Sequence, residues 1–295
     1  MYAPSFDYYR ARSLADAHQL LAAHPGAKLL AGGHSLLPLL KLRLAAPPAL
    51  VDIGRIPELR GISRQGDWIR IGALTTHAEL AASADLQSGA PALADAAASV
   101  GDPAVRNRGT IGGNIAHADP ASDLPTVLVA LDARMVAAGP GGERTIHADQ
   151  FFTGIMTTAL SEDEILVGIH LPVSIRGQGS AYEKFSHPAS RYAVLGVAAW
   201  VAVTNGTCSA ARVALGGLLP NARRAGSVER ALVGKALRLG SGQALNEDAI
   251  AAAADQVAAD LGNDVAGDIY ASAEYRSAMA PVFTKRALAS AVARA

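Results

Sequence analysis

A two-domain protein of the α/β or α+β class is what the sequence predicts, on three observations. The chain has 295 residues, and at roughly 150 residues per domain that length suits two domains, or one large one with an appendage. Half of it is hydrophobic and 18% charged, enough to build a sizeable core and too apolar for a disordered chain. Short β-like runs alternate with capped helical stretches along its whole length, and the stretch Pro172–Ser180, with Arg176-Gly177-Gln178-Gly179 inside it, reads as a connection. The division this predicts is residues 1–175 and 176–295.

Asp7 to Tyr9 read as a first strand. Ser13 caps a helix with Asp16 three residues on and Leu14, Ala17, Leu20 and Leu21 on its apolar face; His24-Pro25-Gly26 stops it. Lys28–Ala31 is a short buried strand running into Gly32-Gly33-His34-Ser35. Strands follow at Leu50–Ile53, Gly61–Arg64 and Trp68–Gly72, then helices opening at Thr75-Thr76 and at Pro91. The segment Gly101–Asp123 is rich in glycine and lacks periodicity, which predicts a long loop. A helix at Leu124–Leu131, a hairpin around Pro140-Gly141-Gly142 and a strand at Ile165–Leu171 complete the first domain. The second holds β-runs at Ala181–Phe185, Ala193–Thr204 and Thr207–Leu215, with Asn205-Gly206 as a hairpin turn. Helices follow at Val228–Leu232, Asp248–Leu261 and Ala271–Ala293; in the last, Tyr275, Met279, Val282, Phe283 and Leu288 fall at helical spacing and read as a core stripe.

Composition excludes several functions. Twenty-six basic against 26 acidic residues, without a basic tract, leave no electrostatic footprint for nucleic acid. The one cysteine, Cys208, excludes an internal disulfide framework and a cysteine-held zinc or iron–sulfur site, and reads as a small buried hydrophobe. Histidines 77, 117, 147 and 187 show no metal-ligand spacing. No apolar run reaches the ~18 residues of a membrane span and MYAPSFDYYRARS has no signal-peptide character, so a cytoplasmic location is expected.

Two glycine clusters carry the functional signal: Ala31-Gly32-Gly33-His34-Ser35 and Gly109-Thr110-Ile111-Gly112-Gly113-Asn114. Successive backbone N–H groups in such turns can converge on an anion, and the hydroxyls of Ser35 and Thr110 and the amide of Asn114 add donors. Two loops of this kind could grip the two phosphates of one dinucleotide; equally, glycines simply make tight turns. Familiar phosphate motifs fail on spacing. No G-x-G-x-x-G follows a strand, Glu229 stands where a Walker loop ending at Gly234-Lys235 needs glycine, and Leu37 interrupts a nucleophile elbow at Ser35.

The segments LLAGGHSLLPLLKLRLAAPPALVDI, IGALTTHAEL, VRNRGTIGGNIAHADPASDLPTVLVAL and YEKFSHPASRYAVLGVAAWV together strongly resemble the FAD-binding medium subunits of the molybdenum hydroxylases, the superfamily of carbon monoxide dehydrogenase and xanthine dehydrogenase. The resemblance runs from Phe6 to about Ala289. It implies an α+β architecture: an FAD-binding fold of the vanillyl-alcohol-oxidase (PCMH) type, then a smaller C-terminal domain of sheet and helices.

By this resemblance Leu30, Ala31, Gly32, Gly33, His34 and Ser35 hold the FAD pyrophosphate with Thr110, Ile111, Gly112, Gly113 and Asn114. Ala73 and Thr76 line the flavin, and Asp123 lies near the adenosine part, where a carboxylate can accept from ribose hydroxyls. Asp123 can equally serve as the N-cap of the helix after it. Lys184 and Tyr192 face the isoalloxazine in relatives; alternating strand residues would give the same pattern. His34 follows a glycine pair that, in the wider superfamily, can carry covalent FAD, whereas the medium subunits bind it non-covalently; the expectation is a loop-stabilising His34.

The resemblance further implies a flavin relay. A large molybdopterin subunit oxidises substrate, a small subunit with [2Fe-2S] clusters passes electrons on, and the flavin subunit delivers them to an external acceptor, all within a dimer of heterotrimers. No catalytic base or metal site is assigned to this chain. The alternative is a stand-alone FAD oxidase with its own substrate pocket, for which no motif is present.

Overall fold

The computed structural model describes residues 2–239 and 244–295. Three strands, β1 (Asp7–Arg10), β2 (Lys28–Leu30) and β3 (Ala49–Asp52), form a parallel sheet in the order β1-β3-β2. Helix α1 (Leu14–Ala23) connects the first two, and its N-cap Ser13 accepts from the Asp16 N–H at 3.1 Å, as the sequence predicts. A short helix, α2 (Leu36–Lys41), follows β2 directly.

Next comes a five-stranded antiparallel sheet, built from β4 (Ile62–Gln65), β5 (Trp68–Gly72), β6 (Arg134–Gly139), β7 (Gly142–His147) and β8 (Ile165–Pro172) in the order β4-β5-β8-β6-β7. Its alternation separates two cores. Val136, Ala138, Ile165 and Val167 pack with Val51 and Ile53 toward the parallel sheet. Met135, Ala137, Ile169 and Leu171 pack toward the helices inserted between β5 and β6.

Among those helices are α3 (His77–Ala82), α4 (Pro91–Ser99), α5 (Pro103–Arg108), α6 (Ile111–His117) and α7 (Asp123–Ala130), with a further short helix at Ala84–Gly89 between the first two. Two of them correct the expectation of a long loop over Gly101–Asp123. Each starts on a side-chain cap: Asp102 accepts from the Val105 N–H at 2.9 Å, and Thr110 from the Gly113 N–H at 3.2 Å. Capping and packing outweigh the low helix propensity of glycine.

The second part is a four-stranded antiparallel meander, β9 (Gln178–Ser186), β10 (Ala193–Thr204), β11 (Thr207–Gly216) and β12 (Arg223–Arg224). Strand β9 begins at Gln178, three residues earlier than the sequence suggests, because Gly179 lets the Ala291 carbonyl and the Ala295 N–H lie against the strand without a Cβ between them. Asn205-Gly206 makes the β10–β11 turn, both residues at positive φ (50° and 77°), as a type I′ hairpin requires. Leu195, Val197, Ala199 and Val201 face α8 (Gly226–Leu232), α9 (Glu247–Ala254) and α10 (Ala273–Ala293), where Cys208 is also buried. Ala198 and Trp200, on the other face, join the core of the first part.

The C-terminal helices differ from expectation in two respects. The stretch 247–261 is a helix, a 3-10 turn and a four-residue helix rather than one rod. In α10 the buried face is Arg276, Ala280, Phe283, Ala287 and Ala291, at 3.6-residue spacing. Phe283 and Leu288 are core as predicted, whereas Tyr275 and Val282 are 49% and 40% exposed.

Candidate functional site

Strand β2 ends at Leu30, and the chain turns through Gly33, whose φ of 78° lies where a side chain is strained. The N–H groups of Gly32, Gly33, His34 and Ser35 donate to no protein acceptor among the described residues. Ser35 precedes α2 without using its hydroxyl as a cap. Four consecutive uncommitted donors beside a left-handed glycine are the arrangement from which anion-binding concavities are built. Gly32 has a separate reason to be glycine: a Cβ there would collide with the Arg108 carbonyl and the Gly109 Cα.

The second cluster is built differently, and this corrects the expectation that both offer backbone donors. The N–H groups of Ile111 and Gly112 donate to Thr75 O (2.9 Å) and Ala73 O (2.8 Å), and that of Asn114 to Thr110 O (3.0 Å). Gly113 N–H is taken by Thr110 Oγ1. All four are therefore spent on capping α6 and binding it to the segment 73–77, which also pairs through Thr76 and Thr110 and through His77 N–H to Gly109 O. Gly112 is glycine because a Cβ would lie 2.7 Å from Ala73 O. What this cluster leaves free is the hydroxyl proton of Thr110, whose oxygen is accepting, and the amide nitrogen of Asn114, whose Oδ1 accepts from Ser122 at 2.7 Å.

Between the two clusters lies a cleft of about 930 Å³. It is lined by Ala31, Gly32, Gly33, His34 and Ser35 from the first, Thr110, Gly112, Gly113 and Asn114 from the second, and Ala73, Asp123 and Tyr192. Four expected residues lie elsewhere. Leu30 and Thr76 line a smaller adjoining cavity, and the Thr76 hydroxyl is engaged with Glu79 in the capping box of α3. Ile111 is fully buried in the core. Lys184 is withdrawn into an ion pair with Asp123, Nζ to Oδ2 2.9 Å.

That pair changes the reading of Asp123. The residue opens α7, with Ser122 in the N-cap position, and is 4% exposed. Its Oδ1 accepts from the Tyr182 hydroxyl at 2.6 Å and its Oδ2 from Lys184, which also donates to Ser99 O at 3.3 Å. With both oxygens engaged, the carboxylate first serves to tie the second domain to the first. Burial raises its pKa against the opposing pull of Lys184 and Tyr182, and burial beside this carboxylate pushes the Tyr182 hydroxyl well up.

The cleft also contains residues that sequence reasoning missed. His77, 3% exposed, has a buried Nδ1 with no partner, and burial, with the charge of His34 second, lowers its pKa to about 4. It closes the segment IGALTTH, next to Thr76, so its place beside the cleft is legible in the sequence. Leu160, Glu162 and Glu164 come from the turn before β8, and nothing local in the sequence marks them. Glu164 is held by Arg144 at 2.5 Å, which with burial opposing lowers its pKa to about 2.

A nucleotide-sized cleft with a row of free backbone donors, closed at one rim by an aromatic from a second domain, defines a dinucleotide-cofactor protein on an α+β scaffold. The chain belongs to the FAD-binding medium-subunit family of the molybdopterin dehydrogenases. Residues 4–174 match the FAD binding domain in molybdopterin dehydrogenase, and residues 180–291 the CO dehydrogenase flavoprotein C-terminal domain. The chain is 44% identical over 296 residues to the carbon monoxide dehydrogenase medium chain of Hydrogenophaga pseudoflava, covering 100% of this chain and 99% of that one. It is 40% identical to 6-hydroxypseudooxynicotine dehydrogenase complex subunit alpha of Paenarthrobacter nicotinovorans, covering 99% and 96%. The solved carbon monoxide dehydrogenase of Hydrogenophaga pseudoflava that lacks the Mo-pyranopterin moiety superposes with a TM-score of 0.92 at 45% identity, covering 100% and 99%. The protein is thus the flavoprotein subunit of a molybdenum hydroxylase, an oxidoreductase component whose cofactor is FAD.

Proposed function

We propose that the cleft binds FAD without a covalent link, and that the chain relays electrons to an external acceptor. They reach it from the [2Fe-2S] clusters of a small partner subunit, after oxidation of substrate at a large molybdopterin subunit. The assembly is read as a dimer of heterotrimers in the cytoplasm, with 1–175 as the FAD-binding domain and 176–295 as the closing one. The observation that carries the reading is the row of uncommitted N–H groups from Gly32 to Ser35 facing a cleft of about 930 Å³, a size that accommodates a large cofactor.

Bound FAD supplies a carrier that accepts a pair of electrons and passes them on. The chain's residues bind and orient it. The Gly32–Ser35 donors grip the pyrophosphate, and the Thr110 hydroxyl and Asn114 amide add two more from the other side. Gly113, exposed and without backbone crowding, allows close approach. Tyr192 covers the ring at the rim. Lys184 acts through Asp123, whose Oδ2 it holds at the wall of the cleft.

Purified protein is expected to be yellow, with a flavin band near about 450 nm, and acid precipitation should release all the colour. Flavin fluorescence kept in the band after denaturing electrophoresis would overturn the non-covalent reading and point to His34. Substrate turnover by the isolated chain would instead indicate a stand-alone oxidase.

A further inference from the structure

Strand β9 passes to β10 through His187-Pro188-Ala189-Ser190-Arg191-Tyr192, and Ser190, Arg191 and Tyr192 of this loop line the cleft. Its hydrogen bonds run mainly through one residue. The His187 N–H donates to Tyr192 O and the Arg191 N–H to His187 O, both at 2.8 Å. The His187 ring adds two more, its Nδ1 accepting from the Ala189 N–H at 3.2 Å and from the Ser190 N–H at 3.3 Å. Pro188 has no N–H to place. Only the Tyr192 N–H goes elsewhere, to Ser190 Oγ at 3.3 Å.

The ring thus does the work of a backbone carbonyl. Nδ1 can accept only in the neutral tautomer whose proton sits on Nε2. The same ring meets Tyr270 edge-on with centroids 4.6 Å apart, and Tyr270 leans on Phe185 at 6.2 Å, so the loop rests on an aromatic support. These bonds oppose strain at Arg191, a non-glycine residue at a φ of 59°. Were the Ala189 and Ser190 donors to lose Nδ1, they would turn to water and the loop would relax at Arg191. Tyr192, the next residue, would move with it. Beyond it the chain is fixed, the Ala193 N–H bonding Ala121 O at 3.1 Å, so the displacement falls on residues 188–192.

We propose that His187 is a positioning residue for the flavin: through Nδ1 it closes the turn that sets the Tyr192 ring at the rim of the cleft. This rests on the reading of Tyr192 as the ring that covers the isoalloxazine, and adds the group that holds it there.

The test is FAD titrated into the flavin-stripped full chain. His187→Leu keeps the bulk and removes the acceptor. His187→Asn returns an acceptor one bond beyond Cγ, as Asn side chains supply in turns. Tyr192→Ala removes the ring itself. The loop lies outside the packed cores, so these variants should fold. His187→Leu should weaken FAD binding several-fold, up to the roughly tenfold expected of Tyr192→Ala, whereas His187→Asn should stay within about twofold of wild type. The double variant, His187→Leu with Tyr192→Ala, should bind no more weakly than Tyr192→Ala alone, because the ring through which His187 acts is already gone. A purely structural loss would instead add in full. Full additivity, an Asn variant as weak as the Leu variant, or a wild-type His187→Leu beside a weakened Tyr192→Ala overturns the proposal alone. Unchanged FAD binding in Tyr192→Ala overturns the flavin reading of Tyr192 and the proposal with it.

Discussion

Asp123 Oδ2 and Lys184 Nζ meet 2.9 Å apart across the joint between the two domains, with side chains 6% and 5% exposed. A pair this deep repays desolvation only while both charges are present. Lys184→Met leaves the Asp123 carboxylate buried with Tyr182 as its one side-chain donor. The substitution should cost about 3–5 kcal/mol, read from denaturant midpoints of flavin-stripped protein. Asp123→Asn with Lys184→Met removes both charges and keeps an acceptor for Tyr182, so it should recover most of that loss. Equal destabilisation in the single and double variants would show that the pair does not join the domains.

The glycines of the two clusters should separate by function. A Cβ on Gly32 meets backbone that cannot yield, and Gly32→Ala should lose at least about 2 kcal/mol of stability. A Cβ on Gly113 meets the Thr110 hydroxyl at 2.9 Å and otherwise only Ala31 Cβ at 3.8 Å. Gly113→Ala should stay within about 1 kcal/mol of wild type yet purify with reduced flavin. Melting temperature and the ratio of flavin to protein absorbance measure the two effects. Full flavin content in Gly113→Ala would make this glycine a matter of folding alone.

Much of this architecture is legible locally. The Ser13 cap, the Asn205-Gly206 turn and the alternation of β10 can each be read from a few adjacent residues. The two glycine clusters announce the cleft, but not that the first keeps its N–H groups free while the second spends them. That difference is made by Ala73 and Thr75, whose carbonyls reach Gly112 and Ile111 from another segment. The Asp123–Lys184 pair is likewise tertiary, joining residues 61 apart. In the stretch 101–123, glycine and proline read as breakers because the caps Asp102 and Thr110 act only once the short helices have packed. Tyr275 sits at a helical spacing from Phe283, yet the buried face of α10 runs through Arg276, which donates to Val194 O and Gly217 O. An arginine tied to carbonyls is invisible to a hydrophobic pattern.

His77 makes stability depend on pH. Its pKa falls to about 4 from an ordinary 6.5 because the ring is buried, His34 adding a smaller effect. Between those values the unfolded chain binds a proton that the native chain does not, so stability present above pH 6.5 is lost as pH falls toward 4. The contribution is on the order of 3 kcal/mol. His77→Gln should flatten the difference in denaturation midpoint between pH 7 and pH 5 in flavin-stripped protein. The same pH slope in variant and wild type would assign the dependence to another group.

Tyr192 tests the relay most directly. It stands at the rim of the cleft, 44% exposed. A tight turn holds it there: His187 N–H donates to Tyr192 O and Arg191 N–H to His187 O, both at 2.8 Å, with Arg191 at a φ of 59°. Burial, with Asp119 and Asp123 nearby, raises the pKa of its hydroxyl, so the ring remains neutral at ordinary pH. A neutral ring over an isoalloxazine contributes about 0.5–1.5 kcal/mol of stacking, plus the burial of its apolar face. Tyr192→Ala should therefore weaken FAD binding roughly tenfold, whereas Tyr192→Phe should bind almost as wild type. In the assembled complex the alanine variant should alter flavin reoxidation and leave reduction at molybdenum unchanged, since that reaction belongs to another subunit. Stopped-flow absorbance resolves the two half-reactions. A slower reductive half-reaction with flavin binding and reoxidation intact would place Tyr192 away from the flavin and return the rim of this cleft to a purely structural role.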